Sequence, residues 1–131
     1  MSACSGVVIV VDDDEAVRSS MRFALELEGL DVRLYRGGAE LLDAGDLPQA
    51  GCLVVDQYMP DMEGMELIGR LRERRVLLPA ILITAKSSEE LRRRAGQAGI
   101  GLVVEKPFGD GALMDGIHRA LAGHQSSAGR N

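Results

Sequence analysis

The chain contains no tryptophan, and its aromatics are limited to Phe23, Tyr35, Tyr58 and Phe108. Any core must therefore be built from Val, Leu, Ile, Met and Ala. Cysteine is scarce as well. Cys4 and Cys52 match neither a zinc-ligand spacing nor a redox pair, which sets aside both uses. Cys52 opens an apolar stretch and reads as a small core residue, and free thiols fit a cytoplasmic protein. No apolar run is longer than Val7–Val11, far short of the ~20 residues that cross a bilayer. No charged leader with an apolar centre stands at the start. An excess of basic residues is also missing. The net charge of −5 argues against a general nucleic-acid-binding surface.

What is present suits one compact domain: 131 residues, 46% hydrophobic and 27% charged. We assign the domain to residues 1–125 and expect a disordered tail over 126–131, where small polar residues gather. Short aliphatic runs alternate with helical patterns five times. Strands are predicted at Val7–Val11, 32–35, 52–55, 80–83 and 102–104. Val17, Met21, Ala24 and Leu25 mark one helical stripe, and Leu113, Ile117, Ala120 and Leu121 another at the same spacing. Helices are also predicted at Gly38–Ala44, 64–74 and 88–98. Glycine follows helices in "EGLD" and "QAGIG", where a left-handed residue is wanted. "SSEE" allows a capping box from Ser87 to Glu90. Alternation of this kind implies an α/β fold, a doubly wound parallel sheet with helices on both faces.

In such sheets, sites form at the carboxyl ends of strands. "VVIVVDDD" ends in Asp12, Asp13 and Asp14; "CLVVD" ends in Asp56; "AILIT" ends in Thr84; "LVVEK" ends in Lys106. Asp14 and Glu15 suit a helix start, with Asp14 as the cap, whereas Asp12 and Asp13 lie too deep for that task alone. Carboxylates held together at ~5 Å with an effective dielectric near 20 cost roughly 3 kcal/mol per pair. A divalent cation resolves the conflict, and an all-oxygen ligand set points to Mg²⁺. Lys106 then offers a point charge to a phosphoryl oxygen and Thr84 a hydroxyl, while an aspartate beside Mg²⁺ can itself attack phosphorus.

With these residues in view, the chain resembles the receiver domain of two-component response regulators. The likeness spans Val7 to about Ala122 and rests on "VVDDDEAVR", "LVVDQYMPDMEGMEL", "ILITA" and "VEKPF". The resemblance implies a flavodoxin-like (βα)5 fold with strand order 2-1-3-4-5. It implies that Asp56 accepts a phosphoryl group from a sensor histidine kinase or phosphotransfer protein. Asp12, Asp13 and Asp56 would hold Mg²⁺ together with the backbone carbonyl of Tyr58, Asp13 being the direct ligand of the acid pair. Thr84 would be the switch hydroxyl, with small Ala85 beside it, and Lys106 the phosphate-facing cation. A cis Lys106–Pro107 bond is implied as well.

Three positions depart from the family pattern. Val103 stands where an aromatic switch is usual, so signalling through the fourth helix, fifth strand and fifth helix would proceed without a rotating ring. Tyr58 and Lys86 should border the mouth of the site, Tyr58 slowing hydrolysis of the aspartyl phosphate and Lys86 either facing the phosphate or solvent. The arginines of "LRRRA" read as a solvated face or as a docking site for an acidic partner or dimer mate. His118 and His124 read as surface residues. The same residues also suggest rivals. A haloacid-dehalogenase-type phosphatase would use Asp12 as nucleophile and leave Asp56 idle. An FMN carrier would find its phosphate repelled by the acids, and an unphosphorylated scaffold would not need them. "MPDMEGMELI" and "EKPF" look like receivers that precede LuxR-type DNA-binding domains. The expected output is partner binding by this chain, with no direct contact to nucleic acid or membrane.

Overall fold

The computed structural model describes residues 6–106 and 111–130, with side chains described as far as Gly123. The expected cis bond at Pro107 and the readings of Cys4 and His124 lie outside these limits. Five strands form one parallel sheet: β1 (Val7–Val11), β2 (Asp31–Tyr35), β3 (Cys52–Asp56), β4 (Ala80–Thr84) and β5 (Leu102–Glu105). Their order is β2-β1-β3-β4-β5. Five helices connect and follow them: α1 (Glu15–Leu27), α2 (Gly38–Ala44), α3 (Gly64–Glu73), α4 (Glu89–Gln97) and α5 (Ala112–Arg130).

The aliphatic runs are strands because both faces are covered. Ile9, Val11, Leu53, Val55, Leu82 and Val103 pack under α2, α3 and α4, where Leu41, Leu67, Ile68, Leu71 and Leu91 meet them. The alternate residues Val8, Val10, Val54, Ile81, Ile83 and Val104 pack under Met21 and Leu25 of α1 and Ile117 and Leu121 of α5. This period of two with no polar face is the mark of a sandwiched parallel sheet. Cys52 belongs to the second layer, and burial pushes its thiol up to about 12, so it is an inert core residue.

Two helices end by one device. Gly29 (φ 82°) and Gly99 (φ 80°) adopt the left-handed conformation, after which Leu30 and Ile100 donate back to the Leu25 and Ala95 carbonyls at 3.2 and 2.9 Å. Each closure drives an aliphatic residue into the core just before the next strand. Helix starts are set by side chains. Asp14 caps α1, its Oδ1 accepting from Ala16 N at 2.9 Å. The cap of α4 is Ser88, whose Oγ accepts from Leu91 N at 3.0 Å, and not Ser87 as the spacing to Glu90 suggested. Ser87 remains in the β4–α4 loop with its Oγ buried and, among the described residues, without a hydrogen-bond partner.

Candidate functional site

Register brings the polar strand ends together. Val11 is level with Val55, Asp56 with Ile83, and Thr84 with Glu105. Asp12 and Asp56 thereby stand on adjacent strands at the same height, with Lys106 beyond Thr84 on the far side. The ladder hydrogen bonds continue through this row: Asp12 N donates to Tyr35 O at 3.1 Å, and Lys106 N donates to Thr84 O at 2.8 Å. Backbone pairing, not side-chain affinity, places these groups.

Asp12 is wholly buried. Its Oδ1 accepts from Asp14 N at 2.9 Å, and its Oδ2 lies 3.0 Å from Lys106 Nζ, with no partner besides that ammonium among the described residues. Asp56 is 4% exposed, with Oδ2 3.6 Å from the same ammonium. Asp13 is exposed at the rim. One carboxylate oxygen from each of Asp12, Asp13 and Asp56 falls within 4.8 Å of the others. Three acids thus converge on one point, and two of them, Asp12 and Asp56, share one half-buried lysine. All the donors are hard oxygens, the set that a small divalent cation takes up.

The crowding shows in the proton affinities. Burial, followed by the Asp12 charge, pushes the Asp56 carboxyl up to about 6, against the opposing pull of Lys106 and the Tyr58 amide. Burial works against the Lys106 ammonium, yet the hydrogen bond and charge of Asp12, with Asp56 behind them, raise its pKa. The Asp56 carboxylate is thus held in its charged form at a cost that its surroundings impose.

Thr84 is buried, and its Oγ1 is engaged by its own loop, donating to Lys86 O at 3.1 Å and accepting from Lys86 N at 3.2 Å. Tyr58 is 56% exposed, and its backbone pairs with Glu63 in an isolated antiparallel bridge. Lys86 is exposed. Val103 packs in the core beside α4, while Arg92 Nη1 reaches its carbonyl at 3.5 Å. The three arginines of α4 are exposed, and Arg94 lies 3.8 Å from Glu63. His118 is half-buried against Glu28, 3.1 Å away, and so ties α5 to the end of α1.

Two residues escaped sequence reasoning. Gln57 is buried, its Oε1 accepting from Met65 N at 3.0 Å, and Asp61 accepts from Ala39 N at 2.9 Å. Their partners lie 8 and 22 residues away, and no local pattern announces either bond.

The family model of the response regulator receiver domain matches residues 8–118. The chain is 38% identical over 123 residues to the transcriptional regulatory protein FixJ of Azorhizobium caulinodans, the match covering 94% of this chain and 58% of that protein. It therefore spans little more than half the length of that relative. Among solved structures it is similar to a CheY-like receiver domain protein of Methanospirillum hungatei JF-1, at 27% identity and a TM-score of 0.84, covering 93% of this chain and 98% of the other. The fold is also that of response regulator TrrA of Thermotoga maritima, solved in complex with Mg²⁺ and BeF, at 24% identity and a TM-score of 0.75, covering 88% and 99%.

Proposed function

This chain belongs to the response regulator receiver domain family of two-component signalling, and from that premise we propose that Asp56 is its phosphoryl acceptor and Mg²⁺ its cofactor. The observation that carries the reading is the cluster of Asp12, Asp13 and Asp56 oxygens within 4.8 Å, with Lys106 Nζ 3.0 and 3.6 Å from two of the acids. The three carboxylates and the Tyr58 carbonyl would hold the ion. Bound there, Mg²⁺ supplies charge neutralisation and Lewis acidity toward phosphoryl oxygens.

The chain's own groups divide the remaining work. An Asp56 carboxylate oxygen attacks phosphorus while the bond from phosphorus to the donor's imidazole nitrogen breaks, its electron pair staying on that nitrogen. The product is a mixed anhydride on Asp56, later cleaved by water to the carboxylate and inorganic phosphate. Lys106 offers its charge to the phosphoryl oxygens. Thr84 donates its hydroxyl to one of them once it leaves the Lys86 backbone. Tyr58, at the mouth, restricts the path of the attacking water. The buried Asp12 serves as ligand and as partner of Lys106, which leaves Asp56 the role that the phosphatase reading denied it.

The phosphoryl donor is a sensor histidine kinase or phosphotransfer protein in the cytoplasm. The response runs through α4, β5 and α5, presented to a downstream protein or a second copy. With Val103 in the core, that face shifts without an aromatic swing. Structures with and without a phosphoryl mimic that are identical over α4 and β5 would refute this part.

Incubation with acetyl phosphate and Mg²⁺, followed by intact-mass measurement, tests the central reading. The wild type is expected to gain one phosphoryl group and Asp56→Asn none. Labelling that survives in Asp56→Asn and disappears in Asp12→Asn would instead favour the phosphatase chemistry.

A further inference from the structure

The loop between β3 and α3, residues 57–63, carries the Tyr58 backbone along one wall of the acidic cleft. Two of its ties are internal to the β3–α3 unit. At the base, Gly64 N donates to Gln57 O at 2.9 Å and Met65 N to the Gln57 side chain at 3.0 Å. Halfway along, Tyr58 pairs with Glu63. The third tie leaves the unit. At the tip of the loop, Asp61 Oδ2 accepts from Ala39 N at 2.9 Å, crossing to α2.

That bond answers a need on the other side. Helix α2 starts from Gly37, which has no side chain to cap it, so its first amides require an acceptor from elsewhere. The Ala39 amide, helped by that of Gly38, holds the Asp61 carboxyl below the usual carboxylate range. Next to it Met62 lies over Gly38, where a Cβ would come within 2.5 Å of the sulfur. The far end of α2 is fixed separately, since Arg74 Nη1 of the α3 turn donates to Leu42 O at 2.8 Å. The loop tip is therefore moored to a helix anchored at both ends. Asp13, Arg36, Pro60 and Asp61 line one shallow depression, so the mooring sits beside the exposed acid of the cleft.

We infer that Asp61 is a positioning residue. By capping α2 from the neighbouring loop it holds the Tyr58 backbone in place beside Asp13, and divalent-cation affinity depends on this hydrogen bond made outside the ligand set. The inference rests on the cation reading of the cleft. It differs from a simple charge effect in one respect: an asparagine keeps the acceptor oxygen and loses the charge.

The test is calorimetric titration of the whole chain with Mg²⁺, together with amide exchange at Ala39. Asp61→Ala is expected to weaken Mg²⁺ binding about tenfold, as loss of groups supporting metal ligands commonly does, and to speed exchange at Ala39. Asp61→Asn should stay within about twofold of wild type, because the acceptor survives. In acetyl phosphate labelling, Asp61→Ala should need more Mg²⁺ yet reach the wild-type rate at saturation. Melting without metal establishes that each variant is folded. Unchanged Mg²⁺ affinity in Asp61→Ala overturns the inference, as does Asp61→Asn binding as weakly as Asp61→Ala. Should Asp13→Asn bind Mg²⁺ like wild type, it is the cation reading itself that fails.

Discussion

Replacing Asp56 with asparagine should stabilise the metal-free protein at neutral pH, and the gain should disappear in acid. In the native state burial and the Asp12 charge hold the Asp56 carboxyl near 6, whereas in the unfolded chain it returns to the ordinary value of ~3.9. The native state thus binds this proton more tightly than the unfolded state does. Stability therefore falls as pH rises from about 4 to about 6, and the loss is complete above that window. Two pH units at about 1.4 kcal/mol each come to about 3 kcal/mol, a large share of the 5–15 kcal/mol that holds a typical domain together. Asparagine has the same shape and no charge, so it escapes this cost.

The assay is urea unfolding followed by far-UV circular dichroism in EDTA, with both proteins measured from about pH 4 to about pH 8. Other groups titrate in both proteins, so the difference between the two curves isolates position 56. It should lie near zero in acid and reach about 2–3 kcal/mol in favour of Asp56→Asn by pH 8. Added Mg²⁺ should then close the gap, since a ligand present at 100 times its Kd stabilises the native state by about 2.7 kcal/mol. A difference that does not change with pH, or a wild type more stable than Asp56→Asn at pH 8, would refute the argument that the cleft is built under electrostatic load.

Three further outcomes are expected. Ser88→Ala should cost about 1 kcal/mol in urea unfolding through loss of the α4 cap, whereas Ser87→Ala should cost nothing, because its buried hydroxyl makes no hydrogen bond among the described residues. Gly64→Ala should lower stability by about 1–3 kcal/mol by the same measurement, since a Cβ there would sit 2.5 Å from the Asp56 carbonyl oxygen. Tyr58→Ala should shorten the lifetime of the phosphorylated protein by about fivefold, the effect of removing about 1 kcal/mol of barrier to water. An unchanged decay of the phosphoryl mass peak would show that this ring does not guard the mouth.

Local chemistry explains why so much was legible beforehand. The run Val7–Val11 has no polar face, so it could only be a strand covered on both sides, and helices on both faces follow from that. The glycines at 29 and 99 and the aspartate at 14 act within a few residues of their own positions, so pattern alone places them. The ends of β3 and β4 ran one residue past the aliphatic runs, to Asp56 and Thr84, because ladder pairing continues regardless of side-chain polarity. The cap of α4 shifted by one residue for a similar reason. Ser87 and Ser88 are indistinguishable in the chain, and the path of the β4–α4 loop decides which hydroxyl meets the helix.

The chain by itself determined which residues are strand, which are helix, and which polar groups stand at the strand ends, since these follow from periodicities and caps spanning a few positions. Only the tertiary structure decided how those groups meet. Parallel register put Asp12 level with Asp56 and let one lysine reach both, at 3.0 and 3.6 Å. Burial, which no single residue type encodes, raised the proton affinity of Asp56. The Asp61 clasp onto Ala39 joins segments 22 residues apart, and a hydrogen bond of that kind exists only after the sheet has brought two loops to the same edge.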